Sequence, residues 1–171
     1  VAMNTWIALF RGINVGGHNS LPMKALQALL EKNGYTGVRT YIQSGNVVFE
    51  SALRDAAAVE AQLTRLVERS RGFAPRVLAL SRRELERAAA DNPFPEASDN
   101  PKSVHLFFLA TSPAAPDTRG LDAVRSGRER FVLKSKVLYV YTPDGFGKSK
   151  LGTRAERLLG VDATARNWST V

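Results

Sequence analysis

The sequence predicts an α+β fold built from two tandem ferredoxin-like (split βαβ) subdomains, whose antiparallel sheets pack as one unit. The first observation is the order of elements in residues 3–80, which reads βαββαβ, the order of a ferredoxin-like unit. The second is that residues 103–171 repeat this order as far as βαββα. The third is that the strands at residues 6–10, 106–110 and 137–141 are apolar on both alternating sides, which is typical of strands covered on both faces.

The first subdomain, residues 3–80, is expected to contain four strands and two helices. They are, in order, a strand at residues 6–10, a helix from about residue 20 to residue 34, strands at 38–43 and 46–51, a helix at about 55–71, and a strand at 76–80. Ser20 is the expected N-cap of the first helix, because Pro22 then falls in the first turn, where a missing N–H costs little. Gly34 and Gly72 are expected to end the two helices.

The connector, residues 81–102, opens with Ser81 and Glu84 at the spacing of a capping box, which predicts a short helix to about residue 90. Pro93 and Pro95 end this helix. The second subdomain, residues 103–171, is expected to contain a strand at 104–110, a helix near 117–126, strands at 130–134 and 137–142, and a helix at 149–159. No final strand is predicted, and Thr164 is the expected cap of a last helix that the end of the chain cuts short.

The doubly apolar strands also bear on assembly and function. Helices cover only one face of an isolated ferredoxin-like sheet, so the other face must meet the second half or another subunit. We therefore expect the two halves to be inseparable, in a monomer or a homodimer. The same pattern argues against an RNA-recognition module, which keeps stacking aromatic side chains exposed on an open sheet.

Composition excludes several classes of site. The chain has 171 residues and no cysteine, so disulfides, thiolate metal sites and a cysteine nucleophile are excluded. His18 and His105 lie far apart without ligand spacing, so neither a zinc site nor another cofactor is predicted. No apolar run approaches the ~20 residues that span a bilayer and no signal-peptide pattern is present, so we expect a cytoplasmic protein without membrane contact. Val1 and Ala2 precede Met3 and are expected to be a remnant of expression.

The net charge of +8 is concentrated in the second half of the chain. Residues 119–157 carry ten Lys or Arg against four Asp or Glu. Such a basic face favours phosphate-bearing partners, nucleic acids among them. A solvated surface that keeps a small protein soluble explains the same residues equally well.

A candidate anion site follows from the split βαβ topology. Strands one and two run parallel with strand three between them, so loop 11–19 and turn 43–46 should meet at one edge of the sheet, beside the start of the first helix. That helix start offers free N–H groups, and glycines let the backbone approach a ligand closely. The second helix ends at this edge too, bringing Arg69 and Arg71 near. The expected ligand-binding residues are Arg11, Asn14, Gly16, Gly17, Gln43, Ser44 and Asn46.

A purely structural interpretation of these residues stays open. The glycines then serve tight turns, Asn14 and Asn46 adopt left-handed conformations, and Gln43 ties the loop to the hairpin. A Ser44 nucleophile lacks a base that the sequence positions beside it.

Residues 142–150 join a strand to a helix and resemble a phosphate-binding loop. A true P-loop requires glycine at position 142, where Thr142 stands, so a nucleotidase is disfavoured. Ser149 and Lys150 could instead hold an anion at the helix start, or Ser149 could be only a helix cap. The motif at residues 166–168 leaves a similar choice, because Trp168 suits either an aromatic platform or an anchor on the core.

Five motifs carry a resemblance to a known family. They are residues 11–17 (RGINVGG), 41–49 (YIQSGNVVF), 92–95 (NPFP), 143–151 (PDGFGKSKL) and 166–168 (RNW). In this order they resemble the bacterial family called domain of unknown function 1697, over almost the whole chain. The resemblance implies two ferredoxin-like subdomains and no assigned activity, so whether the protein is an enzyme stays open. Members usually continue past the Asn-Trp motif, so the C-terminal helix is expected to be truncated. His18 stands where the family tends to carry lysine or another polar residue, and we assign it no catalytic role.

The sequence therefore predicts a protein that binds a small anionic or phosphorylated molecule at loop 11–17 and turn 43–46. The alternative is a nucleic-acid-associated module that uses the basic second half.

Overall fold

The computed structural model describes residues 2–171, and Val1 lies outside the described residues. The chain divides into two compact units, one that ends at Arg87 and one that runs from Ala88 to Val171. Each unit has one four-stranded antiparallel sheet with helices between its strands. The predicted α+β class, with two tandem subdomains, is confirmed.

The first unit contains all the elements that the sequence predicts for it. They are β1 (Asn4–Arg11), α1 (Met23–Lys32), β2 (Thr36–Tyr41), β3 (Asn46–Ser51), α2 (Ala56–Arg71) and β4 (Arg76–Ser81). The sheet order is β2-β3-β1-β4, and β3 lies antiparallel to both of its neighbours. The end of β1, the β2–β3 turn and the start of β4 therefore share one edge of the sheet.

One face of this sheet carries the core of the first unit. The buried side chains of β1 on this face are Trp6, Ala8 and Phe10. Buried residues of α1 and α2 pack in the same cluster at helical spacing: Met23, Leu26, Leu30, Val59, Leu63 and Val67. Asp55 caps α2 by accepting from the Ala58 N–H at 3.2 Å, and Gly72 ends it at φ +81°.

The expected cap at Ser20 is wrong. Helix α1 begins at Met23, Pro22 occupies the cap position with ψ 139°, and it has no side-chain cap. The physical reason is that a residue before proline avoids the helical region, which disfavours a helix that includes Leu21. The Leu21 N–H donates instead to Asn14 Oδ1 at 2.7 Å.

The predicted capping box at the start of the third helix is confirmed. The Ser81 N–H donates to Glu84 Oε2 at 2.8 Å, and the Glu84 N–H donates to Ser81 Oγ at 3.1 Å. These bonds satisfy two donors at the start of α3 (Arg82–Ala90). The chain then continues through two 3₁₀ turns, Pro95–Ala97 and Pro101–Ser103.

The second unit repeats the architecture of the first. Its elements are β5 (Val104–Leu109), α4 (Thr118–Val124), β6 (Arg130–Lys134), β7 (Val137–Tyr141), α5 (Lys150–Leu159) and β8 (Ala163–Asn167), and the sheet order is β6-β7-β5-β8. Strand β8 corrects the prediction of a truncated last helix capped by Thr164. The segment is poor in strand-forming apolar residues, yet it pairs with β5 because that strand has an open edge, and Ala163 and Thr164 are buried there.

A glutamate from the preceding helix binds the last strand of each unit. Glu60 of α2 accepts from the Ala79 N–H of β4 through Oε2 at 2.8 Å. Glu156 of α5 accepts from the Ala163 N–H of β8, also through Oε2 at 2.8 Å. Both carboxylates thereby satisfy a main-chain donor on an edge strand, where such groups would otherwise be open to pairing with another chain.

None of the helices in the described chain is both long and apolar enough to span a membrane.

Candidate functional site

Loop 11–19 is a small hairpin that projects from the end of β1. Val15 and His18 form an isolated antiparallel bridge, in which the His18 N–H donates to the Val15 carbonyl at 2.9 Å. Gly16 and Gly17 are the two central residues, with φ +58° and +77°. A type I′ turn requires positive φ at both positions, so these glycines first of all serve the turn. Their backbone is nevertheless exposed at the tip.

Asn14 connects this hairpin by hydrogen bonds to the approach to α1 and to the β2–β3 turn. It has φ +54°, and its Nδ2 donates to the main-chain carbonyls of Leu21 at 2.9 Å and Gln43 at 3.0 Å. Its Oδ1 accepts from the Leu21 N–H. Both amide hydrogens of Asn14 are therefore engaged within the protein, which makes Asn14 the support of the loop rather than a free donor for a ligand.

The β2–β3 turn is packed directly on β1. The Phe10 N–H donates to the Gly45 carbonyl at 2.8 Å. Gly45 has φ +90°, and a Cβ at this position would stand 2.7 Å from both Ile13 Cδ1 and Phe10 Cβ. Only glycine can occupy this contact without displacing core atoms.

Asn46 and Ser44 form hydrogen bonds within the same turn. Asn46 is buried, and its Nδ2 donates to the Tyr41 carbonyl at 2.9 Å and to Ser44 Oγ at 3.0 Å. Gln43 is exposed and meets Asn14 through its main-chain carbonyl, so its side chain faces solvent. The predicted meeting of loop and turn thus exists, with structural roles for the two asparagines.

Three apolar side chains stand exposed around this junction, and we call Val15, Tyr41 and Ile42 the apolar rim. Their exposed fractions are 64%, 53% and 51%. Val15 follows Asn14 and Ile42 precedes Gln43, so the rim flanks the Asn14–Gln43 hydrogen bond. Ile42 has φ +51°, a strained conformation for a β-branched residue.

Arginines also lie at this end of the sheet, on β1 and β4 and at the end of α2. Arg11 and Arg76 are register partners on the neighbouring strands β1 and β4. Arg69 and Arg71 lie in the last turn of α2, and only four residues separate Arg71 from β4. The topology therefore places four arginine positions at the end of the sheet that also carries the apolar rim.

In the second predicted anion loop, residues 142–150, the structural role of Ser149 is clear. Ser149 is buried and caps α5, since its Oγ accepts from the Gly152 N–H at 3.0 Å. Lys150 is the first residue of α5 and is exposed. The ring of Phe146 stacks on His105 with centroids 3.9 Å apart.

The main-chain N–H of Trp168 donates to the Val104 carbonyl, so main-chain bonding holds the segment around Trp168 to the sheet.

Several basic residues of the second unit have acidic partners. Arg125 pairs with Asp122 at 2.8 Å, Arg128 with Asp144 at 2.5 Å, and Arg130 with Glu96 at 2.5 Å. Arg130 also lies over the rings of Phe94 and Tyr141, at 5.1 and 4.8 Å from their centroids. Asp122 and Asp144 already belong to the charge count of residues 119–157, so these ion pairs leave most of its basic surplus in place.

The apolar rim was not predicted from the sequence. A signal was present, because Tyr41 and Ile42 stand between a strand and the polar turn 43–46, where a solvent-exposed loop usually has polar residues. In the part of the chain that the structure describes, no three His, Cys, Asp or Glu side chains are grouped so that they could hold a metal ion.

Comparison with solved structures supports the fold. A conserved bacterial protein from Streptococcus pneumoniae is similar with a TM-score of 0.66 and 23% sequence identity, covering 99% of this chain and 95% of the other. At this identity the likeness shows the architecture alone. Comparison with curated proteins finds no match.

A family model matches most of the sequence. It covers residues 3–139, which include the motifs at 11–17, 41–49 and 92–95, while those at 143–151 and 166–168 lie beyond it. The matched part contains the whole loop-and-turn junction and both of its asparagines. The chain therefore belongs to the family described as protein of unknown function DUF1697.

Proposed function

We propose that this protein binds a small anionic molecule that carries an apolar or aromatic ring, at the sheet edge formed by loop 11–19 and turn 42–46. The observation that carries the proposal is the exposed apolar rim, built on a junction whose own polar groups are bonded within the protein.

The base of the site supports a pre-organised surface. Asn14 fixes loop to turn, and Gly45 allows the turn to lie directly on Phe10 and Ile13. A rigid support lowers the entropy lost when a ligand binds. The strained φ of Ile42 and the exposure of Tyr41 need such a support, since neither is favourable in isolation.

The charge of the edge supports an anionic ligand. Arg11 and Arg76 are register partners on β1 and β4. A phosphate or carboxylate placed beside them would accept charge-assisted hydrogen bonds. A flat ring on the same molecule would stack on Tyr41 or pack on Ile42 and Val15.

A single-stranded nucleic acid would use the same combination of an aromatic ring and arginines. Salt dependence separates the two ligand classes, because a polyanion releases several counterions and a small monophosphate few.

Isothermal titration calorimetry tests the proposal with adenosine 5′-monophosphate, ribose 5-phosphate, inorganic phosphate and a short oligodeoxythymidylate. We expect the adenosine monophosphate to bind more tightly than ribose 5-phosphate, since only it has the aromatic base. Arg11→Ala should weaken binding by about tenfold or more, because a hydrogen bond to a charged group contributes about 1.5–3 kcal/mol. Tyr41→Ala should reduce the preference for the ring.

Arg83→Ala is the matched control, because Arg83 is exposed on α3, which follows the opposite end of β4. Equal weakening by Arg83→Ala and Arg11→Ala would contradict the proposed site. Tight oligonucleotide binding that falls steeply with salt, without binding of the monophosphate, would favour the nucleic-acid alternative.

A further inference from the structure

Two buried polar atoms in the second unit have no hydrogen-bond partner within the described residues. They are His105 Nδ1 and Thr142 Oγ1. The Thr142 residue is only 1% exposed. Native proteins satisfy nearly all buried polar atoms, so two such atoms in one region call for a specific explanation.

These two residues belong to the same face of the sheet. His105 is the register partner of Val140, and the Thr142 N–H donates to the Ser103 carbonyl at 2.8 Å, which continues the β5–β7 ladder. His105 and Thr142 are therefore diagonal neighbours, and such pairs are typically about 7–8 Å apart between Cα atoms. One small polar group between them could bond to both.

The face they share is the one that α5 covers. Val140 and Phe107, on either side of this position, belong to the core cluster with Leu151 and Ala155 of α5. The chain passes from Thr142 through six residues to Ser149, the buried cap of this ten-residue helix. The N–H groups of its first turn add a partial positive charge at this end of the core.

The aromatic ring of Phe146 lies against His105 in this part of the second unit. Phe146 stacks on His105 with an interplanar angle of 17°, and it lies so close to Gly152 that a Cβ there would stand 2.8 Å from the ring. Its neighbours on both sides are glycines, and Gly145 has φ +110°. Main-chain bonds from the Gly145 N–H to Thr142 and from the Ser149 N–H to Phe146 hold the ends of the segment around the ring.

We propose that His105, Thr142 and the start of α5 form a second binding site, for a phosphate or similar small oxyanion, and that Phe146 is its lid. The site offers donors: the Thr142 hydroxyl, an imidazole N–H of His105 and the first N–H groups of α5. Exposed Lys148 and Lys150 flank the lid and attract the anion. Asp144, the acid of the loop, pairs with Arg128 at 2.5 Å. This site lies in the second unit and does not depend on the function proposed for the first.

Nuclear magnetic resonance of the full-length protein tests this proposal with inorganic phosphate as the probe. We expect saturable shifts of the backbone amides of Phe146, Lys150 and Leu151 at millimolar phosphate. Thr142→Val, which replaces the hydroxyl with a methyl group of similar size, should weaken phosphate binding by about tenfold, the effect of losing one charge-assisted bond. Phe146→Leu, which reduces the lid, should change the rate of exchange between free and bound states.

The Thr142→Val variant also protects the test against misfolding. Removing an unsatisfied buried hydroxyl should leave the melting temperature unchanged or raise it. Lys136→Ala is the control for nonspecific attraction, since Lys136 is exposed in the turn between β6 and β7. Unchanged phosphate affinity in Thr142→Val, or the same weakening in Lys136→Ala, would overturn the proposal. Saturable binding confined to loop 11–19 would also overturn it, while leaving the proposed function of the first unit intact.

Discussion

Asn14 Nδ2 donates a hydrogen bond to the main-chain carbonyl of Gln43 at 3.0 Å, across 29 positions of the chain. The same nitrogen donates to the Leu21 carbonyl, and Oδ1 accepts from the Leu21 N–H. One side chain thus joins the loop after β1, the approach to α1 and the β2–β3 turn. The ligand surface that we propose rests on this junction.

Asn14→Ala should destabilise the protein strongly, whereas Gln43→Ala should not. The first change removes three hydrogen bonds and puts alanine at φ +54°, which together should lower the free energy of unfolding by about 3 kcal/mol. Gln43 contributes its main-chain carbonyl, which alanine keeps, so the expected change is below about 0.5 kcal/mol. Urea denaturation measures both, and equal effects would contradict this account of the junction.

Gly45→Ala and Gly12→Ala form a matched pair, because both glycines have positive φ, +90° and +72°. At Gly45 the added Cβ also meets Ile13 and Phe10 at 2.7 Å, while at Gly12 no atom lies within 4 Å. We expect a loss of about 1 kcal/mol for Gly12→Ala and about 2–4 kcal/mol for Gly45→Ala. Thermal denaturation followed by circular dichroism gives the comparison, and a Gly12 variant as unstable as the Gly45 variant would count against the packed turn.

Acid should lower the folding stability of the second unit, because His105 binds a proton more readily in the unfolded chain. Burial lowers the pKa of His105 from 6.5 to about 4. The unfolded chain therefore binds more protons than the folded chain between about pH 6.5 and 4, so this contribution to stability is present above pH 6.5 and is lost as the pH falls through that window. After allowance for solvent screening, the loss should reach up to about 2 kcal/mol.

The matched variant for this effect is His105→Phe, which keeps a ring against Phe146 but cannot titrate. Wild type should lose more unfolding free energy than the variant between pH 7 and pH 4, because the carboxylates titrate in both proteins. Parallel pH profiles for the two proteins would show that His105 does not titrate as its burial requires.

Glu60→Ala should loosen β4, because the Ala79 N–H then loses its partner. The expected loss in unfolding free energy is about 1.5–3 kcal/mol, and Glu60→Gln should recover part of it since its amide oxygen can still accept. Amide hydrogen exchange at Ala79 reports the bond directly. Exchange as slow in Glu60→Ala as in wild type would mean that the carboxylate does not protect this edge.

Much of the fold follows from local sequence signals. Ser81 and Glu84 predicted the capping box correctly, and glycine at 72 and 160 ends two helices with positive φ. Strand β8 could not be predicted in the same way. Its residues lack a strong strand pattern, and it forms because β5, distant in the chain, has an open edge.

The meeting of loop and turn was predictable because strand order fixes which ends share a sheet edge. The roles of individual side chains were not, since Asn14 and Asn46 could equally have faced a ligand or the main chain. The unpartnered atoms of His105 and Thr142 depend on packing between a sheet and a helix, which no local pattern records. Whether the two halves are inseparable remains a prediction.

A titration of the ¹⁵N-labelled protein with adenosine 5′-monophosphate, followed by amide chemical shifts, tests the proposed binding site most directly. We expect saturable shifts concentrated at residues 12–19 and 41–46, and we expect Arg11→Ala to reduce the affinity by about tenfold or more. An absence of saturable shifts, or shifts that spread over the exposed lysines of the second unit and leave those two segments unchanged, would contradict the proposed binding site.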